Sequence, residues 1–273
     1  KIIEKIKNTK YDYFLLLKGE ATPKFFLEFL RKNNPNIKFI FYTWDSFKNN
    51  SNGLEIINLF DNKFTFDADD AKKYNIGFRP LFFAKDYAEL YTKWNDFKYD
   101  LAFIGTAHSD RYTITEKVRN WCNATKIRLF AFYFSPSKLL FKYNKIVNND
   151  FKLFDYNKIS FNSLSHKEII DIYKNSKAIL DINHPGQKGL TMRTFESLGA
   201  GRKLITTNQE IKKYPFYDEQ NILVINRENI RLNTEFFKKD FKKIEENILE
   251  SMSLKGLVEE IFGLVQVNYW QNV

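Results

Sequence analysis

What most constrains the fold of this chain is an alternation. Short apolar runs, dense in Ile, Leu and Phe, are separated by amphipathic stretches of helical period. Runs at 11–17 (YDYFLLL), 37–44 (IKFIFYTW) and 63–66 (KFTF) read as strands. So do 100–106 (DLAFIGT), 127–134 (IRLFAFYF), 177–182 (KAILDI), 203–207 (KLITT) and 221–225 (NILVI). Strands that are apolar throughout, rather than at every second residue, belong to parallel sheets covered on both faces. Helix signals fill the gaps. Thr22 and Pro23 are expected as cap and first helical residue of a helix over 22–33. Asp67 opens another. Asp110 caps a helix over 110–122, with Ile114, Val118 and Trp121 on its inner face. Ser165 and Glu168 form a capping box at the start of 165–176, and the chain is helical from about Asn233 onward.

The rhythm breaks once, between FRPLFF (78–83) and about Tyr99, where Pro80 and a loss of periodicity predict a connector. The fold class expected is therefore α/β, with two Rossmann-like doubly wound domains. Their expected bounds are 1–84 for the first domain, 85–99 for the connector, 100–232 for the second domain and 233–273 for C-terminal helices. The numbering opens inside a helical pattern without a Met, so an upstream strand of the first domain is expected to be missing.

Composition excludes several classes. One cysteine among 273 residues forbids an intrachain disulfide and fits a reducing, cytoplasmic setting. Three histidines and that cysteine do not easily build a structural zinc site. No apolar run approaches the roughly 20 residues of a membrane span. The net charge of +10 favours anionic partners. The densest basic run, 238–243, reads as a solvated helix face. Beside it Phe236, Phe237 and Phe241 read as exposed, which predicts peripheral contact with the inner face of a membrane.

In doubly wound sheets ligands bind beyond the carboxyl ends of the strands. The loop after 177–182 is therefore the first place to look: HPGQKGLTMRTFESLGAG (184–201). Its glycines let backbone approach a ligand, and the helix that follows offers unpaired N–H groups to phosphate. Thr191 and Arg193 fall in the first turn. A cation there opposes the helix dipole, so Arg193 is expected to face a ligand phosphate or Glu196. Spacing alone fits equally an i,i+3 ion pair of about 0.2–0.5 kcal/mol. A second loop, FIGTAHSDR (103–111), sets Gly105, Thr106 and Arg111 between strand and helix, with His108 as a turn residue or more. DADD (67–70) spells the Asp-x-Asp of metal-dependent sugar transferases. Asp67 follows a strand and opens a helix, which accounts for the acids without a metal.

DLAFIGTAHSDRY, followed some eighty residues on by GLTMRTFESLGAGRKLITT, resembles the bacterial CgeB-like and lipopolysaccharide-biosynthesis glycosyltransferases of the GT-B fold. LLLKGE, FYTWDS and FRPLFF resemble that group's first domain, so the likeness covers roughly residues 11–225. It implies a cleft between two domains and an NDP- or CMP-sugar donor held mainly by the second. By the same resemblance Glu196 matches the ribose-binding glutamate. Lys188, Gly189, Leu190, Thr191, Arg193 and Thr194 match the diphosphate loop and helix start. Gly105, Thr106 and Arg111 match the phosphate-side loop. No obligatory metal or cofactor is implied. Many retaining members carry a glutamate eight residues before the ribose-binding one. Here that place holds Lys188, which leaves retention or inversion open.

An inverting reaction needs a base. Glu20 and Asp45, each just after a first-domain strand, and His184 on the donor side are the candidates, though turn or cap roles also fit them. The function expected is transfer of a sugar from a nucleotide sugar to a lipopolysaccharide, capsule or other surface-glycan acceptor, free or lipid-linked. Two alternatives are an inactive nucleotide-sugar-binding module and a basic nucleic-acid-binding protein. No nucleic-acid motif supports the second.

Overall fold

The structure is a computed structural model that describes residues 1–91, 96–266, 269–271 and 273. It forms two compact units. One comprises Lys1–Leu81, Lys188–Leu190 and Glu250–Val273; the other comprises Phe82–Gln187 and Thr191–Leu249.

The first unit opens with α1 (Ile2–Ile6), β1 (Tyr13–Leu17), α2 (Lys24–Asn33), β2 (Lys38–Thr43), α3 (Gly53–Ile56), β3 (Asn62–Thr65), α4 (Ala68–Tyr74) and β4 (Gly77–Phe78). Among the described residues these strands form one parallel sheet in the order β1-β2-β3-β4. Strand β2 is buried from its second residue to its last, as a continuous apolar run in a covered parallel sheet must be. Phe39, Phe41, Phe47 and Phe60 form its core with Leu27 and Leu30 from α2. Helix α2 starts one residue later than expected, with Pro23 at the cap position and no side-chain cap from Thr22. At α4 the expected cap is present: Asp67 accepts from the N–H groups of Asp69 and Asp70. The other DADD carboxylates are also engaged. Asp70 accepts from the Phe47 N–H at 2.9 Å, and Asp69 pairs with Lys188 at 2.6 Å.

The second unit runs through α5 (Lys85–Ala88), β5 (Tyr99–Thr106), α6 (Arg111–Thr125), β6 (Leu129–Phe134), α7 (Lys138–Val147), α8 (Asn149–Lys152) and β7 (Ile159–Ser160). It continues with α9 (His166–Lys174), β8 (Ser176–Asp181), α10 (Met192–Gly199), β9 (Lys203–Thr206), β10 (Ile222–Val224) and α11 (Thr234–Lys238). Then come α12 (Glu246–Ser251) and α13 (Leu254–Ile261), the latter back in the first unit. There the buried Arg79 pairs with Glu260 of α13 at 2.6 Å and donates to the carbonyl of Ser251. The expected connector includes 92–95, which lie outside the described residues; Lys85–Ala88 within it is helical.

All strands of the second sheet pair in parallel, in the order β7-β6-β5-β8-β9-β10. Counted from β5 this is 3-2-1-4-5-6, the order of the doubly wound dinucleotide fold. The chain leaves β5 toward one side and returns at β8 toward the other, so the ends of these two strands diverge and open a crevice. The capping box predicted at α9 is formed by Ser165 and Glu168. Helix α10 ends at Gly199 and is followed by Gly201, whose φ of +63° suits a residue without a Cβ.

Two further expectations are corrected. Phe236 and Phe237 are buried in the second core and not exposed, because α11 turns both rings inward; Phe237 packs on Trp121. The neighbouring lysines are exposed and locally paired, Lys238 with Glu235 and Lys242 with Asp218. Asp110 lies at the start of α6 as expected, but its side chain makes no cap bond there. Among the described residues, no helix is long and apolar enough to cross a membrane.

Candidate functional site: the crevice between β5 and β8

At the switch point of the second sheet lies a cavity of about 190 Å³. Its walls are the ends of β5 (Gly105, Thr106) and β8 (Asp181, Ile182), the start of α6 (Arg111) and the first turns of α10 (Thr191, Arg193, Glu196). The two stretches that the sequence analysis singled out, 103–111 and 191–196, are therefore brought to one place. Gly105 is required there by packing. A Cβ at this position would stand 2.5 Å from the Phe103 ring.

Asp181 organises the floor. Buried at the end of β8, it accepts hydrogen bonds from the hydroxyls of Thr191 at 2.7 Å and Thr194 at 3.1 Å. Those two threonines, expected at a diphosphate, spend their protons on this carboxylate. Their bonds fix the angle at which α10 leaves the loop, and with it the direction of Arg193. Arg111 donates from Nε to the carbonyl of Ile182 at 2.8 Å, which leaves the outer edge of its guanidinium toward the cavity.

Arg193 does not take Glu196 as an ion-pair partner, although the two lie three residues apart in α10. Among the described residues it forms no ion pair within 4.0 Å, and its Nη1 is buried with no hydrogen-bond partner. Burial works against its charge, but Tyr173, Glu196 and Asp181 outweigh that and raise its pKa. Glu196 is held from elsewhere: the buried Tyr173 donates its hydroxyl to Oε2 at 3.2 Å. Tyr87 lies within the field of the same carboxylate. Burial first, then the Glu196 charge, push both tyrosines well above the ordinary phenol range, so both stay protonated donors. The simple i,i+3 pair is thus not formed. The carboxylate is oriented by Tyr173, and the guanidinium keeps an unused donor beside the cavity. A guanidinium nitrogen without a protein acceptor can donate to an anion that reaches it.

No family model matches the chain, and no curated protein matches its sequence. The structure is similar to that of an alpha-glucosyltransferase in complex with UDP and a 13-mer DNA containing a central A:G mismatch. That likeness has 13% identity over 92% of this chain and 80% of that one, with a TM-score of 0.60. It is also similar to the lipopolysaccharide outer core galactosyltransferase WaaB in its apo form, with 10% identity, 97% and 78% coverage and a TM-score of 0.44. A third likeness is to the GtfA/B complex, with 10% identity, 90% and 49% coverage and a TM-score of 0.41. What identities of this size carry is the fold. The two parallel sheets are the two Rossmann-like units of a GT-B architecture.

Beside the cavity lies a second group that sequence reasoning missed. Arg227, just after β10, donates both ways to the Asp110 carboxylate at 2.8 Å and also to the carbonyl and side-chain oxygens of Asn183. Asn183 in turn accepts from Thr207. Asp110 thus pairs with Arg227 instead of capping its own helix. Arg111 lies within the field of both Arg193 and Arg227. Burial together with these two cations lowers its pKa, against the pull of Asp181. His108 is half-buried. Burial, then Arg111 and His184, depress its pKa to about 4, so it is neutral at physiological pH. Its ring lies 6.0 Å from that of the exposed His184.

The remaining predicted residues lie elsewhere. Lys188, Gly189 and Leu190 belong to the first unit, where Lys188 pairs with Asp69 and the α-carbon of Gly189 backs onto the Phe66 ring. Glu20 and Asp45 flank Lys18 in that same unit, at 3.3 and 4.0 Å from its Nζ. That pairing occurs at a left-handed turn, where Lys18 has φ +67°.

Proposed function

We propose that the chain is a glycosyltransferase whose second unit binds the nucleoside diphosphate of a sugar donor in the β5–β8 crevice. The observation that carries this reading is the buried, unpartnered Nη1 of Arg193, set beside Arg111 at the switch point of a 3-2-1-4-5-6 sheet. Two guanidiniums and a helix N-terminus form an anion site. The tyrosine-held carboxylate of Glu196 is an acceptor for the hydroxyls of a ribose. In the reaction proposed, the bond from the anomeric carbon to the leaving phosphate breaks and a bond to the acceptor oxygen forms. The acceptor's proton passes to a base, and the departing diphosphate carries its charge onto Arg111 and Arg193.

Asp45, Glu20 and His184 remain the proposed bases if the reaction inverts. Lys188, Gly189 and Leu190 enter the donor site from the family resemblance alone. The acceptor we propose is a lipopolysaccharide, capsule or other surface glycan, with a metal-independent reaction. One observation favours a second acceptor class: the solved neighbour with a TM-score of 0.60 holds DNA beside UDP, and this chain carries a net charge of +10.

A thermal-shift screen across nucleotides and nucleotide sugars tests the proposal. A donor present at 100 times its Kd stabilises the fold by about 2.7 kcal/mol. Release of sugar from the best donor, followed by mass spectrometry with excess chelator, tests turnover. A screen in which no nucleotide shifts the melting temperature contradicts the reading.

A further inference from the structure

Helix α7 reverses the usual arrangement of a surface helix. The preceding helix, α6, is ordinary: Ile114, Val118 and Cys122 face the core, while Lys117, Asn120 and Asn123 are exposed. In α7 only Phe141 is buried, packed among Phe151, Phe154, Tyr156 and Phe161. The opposite side holds Leu139, Leu140, Tyr143, Ile146 and Val147, all exposed, with Leu139 at 81% and Ile146 at 76%. At 3.6 residues per turn these five fall within about 120° of the helix circumference. Lys138, Lys142 and Lys145 lie together along one border of that stripe, and no acidic residue occurs between Ser135 and Asn149.

An exposed apolar stripe of this length is costly to leave in water, and on a soluble protein it marks a contact surface. Two features choose its occupant. A second copy of α7 would cover the apolar stripe but bring no negative charge to the lysine border. A bilayer with anionic headgroups supplies both, apolar chains under the stripe and phosphates beside the lysines. We propose that α7 is an interfacial anchor that seats the second unit on an anionic lipid surface. Leu139, Tyr143 and Ile146 enter the boundary between headgroups and acyl chains, and Lys138, Lys142 and Lys145 meet lipid phosphates. This moves the membrane contact expected at 236–242 to a different helix, and it stands independently of the donor site.

Vesicle co-sedimentation tests it. The full chain should bind vesicles of phosphatidylcholine with phosphatidylglycerol, bind phosphatidylcholine alone much less, and dissociate as salt rises. Leu139→Ser with Ile146→Ser should weaken binding at least about tenfold. Lys142→Glu with Lys145→Glu should weaken it by about fivefold or more per residue. All four side chains lie outside the core, so the variants should melt as the parent does, and nucleotide binding should not change. Equal binding to neutral and anionic vesicles, or unchanged binding by the serine variant, overturns the proposal. So does a concentration-dependent dimer that the serine variant abolishes while no vesicle binds, which would make a second copy the occupant.

Discussion

The two units place charged residues at the same topological position, just beyond the carboxyl ends of parallel strands, and treat them differently. In the first unit Lys18, Glu20 and Asp45 lie near the surface and pair with one another at 3.3 and 4.0 Å. Pairs so exposed contribute about 0–1 kcal/mol and hold no fixed geometry. In the second unit Asp181 is buried under two threonine hydroxyls, Glu196 is held by the buried Tyr173, and Arg193 keeps a buried donor unused. There the surroundings fix each group before any ligand arrives. The first unit's charges are free to move to a ligand; the second unit's are already aimed. Preorganisation of this kind is what an anion site needs, since ordering costs are met on folding and not on binding.

The comparison breaks most readily at Asp181. Asp181→Ala leaves two threonine hydroxyls without their acceptor and removes a buried anion whose charge acts on both Arg111 and Arg193. It should cost about 2–4 kcal/mol of stability. Urea unfolding reads this directly, and a loss below about 1 kcal/mol would mean the floor is not held as described.

Acid should expose the second unit next. The His108 pKa in the fold is about 4, against roughly 6.5 in an unfolded chain. Between those values the unfolded chain binds a proton that the folded one refuses, so stability falls as pH drops through that window. Partial exposure reduces the effect to about 1–2 kcal/mol. Stability curves at pH 7 and pH 4.5 for the parent and His108→Gln should converge for the variant. A parallel fall in both would assign the acid loss to other groups.

Tyr173→Phe is a smaller change. It removes one hydroxyl from Glu196 and should cost about 1 kcal/mol, with nucleotide affinity down severalfold. The discrimination between ribose and deoxyribose nucleotides should shrink as well, since the glutamate loses its fixed orientation. An unchanged ratio would detach Tyr173 from that role. Smallest of all, Lys18→Ala in the first unit should alter stability by less than about 0.5 kcal/mol in a thermal melt.

Much of this contrast was legible in the sequence. Alternating apolar runs predicted the strands, and Asp67 and Ser165 announced their helices because capping is local chemistry. The loop with Arg193 and Glu196 was readable because glycines, a strand end and a helix start are close together in the chain. Tyr87, Tyr173 and Arg227 were not, because only the strand order brings them to residues more than twenty positions away. Asp181 offered one missed signal, a carboxylate directly after the apolar run Ala178-Ile179-Leu180. Phe236 and Phe237 misled for the opposite reason. Lysines beside them suggested exposure, while the turn of α11 decided burial.

The measurement closest to the central claim is calorimetric titration with UDP, or with whichever nucleotide stabilises the protein most. It compares the parent with Arg193→Ala and with a Glu20→Ala, Asp45→Ala double variant. Arg193→Ala should lose at least about tenfold in affinity, or about 1.4 kcal/mol, while its melting temperature stays near the parent's. The first-unit double variant should bind the nucleotide as the parent does. Parent-like affinity in Arg193→Ala would contradict the account, because the buried, unused guanidinium nitrogen would then have no anion to receive.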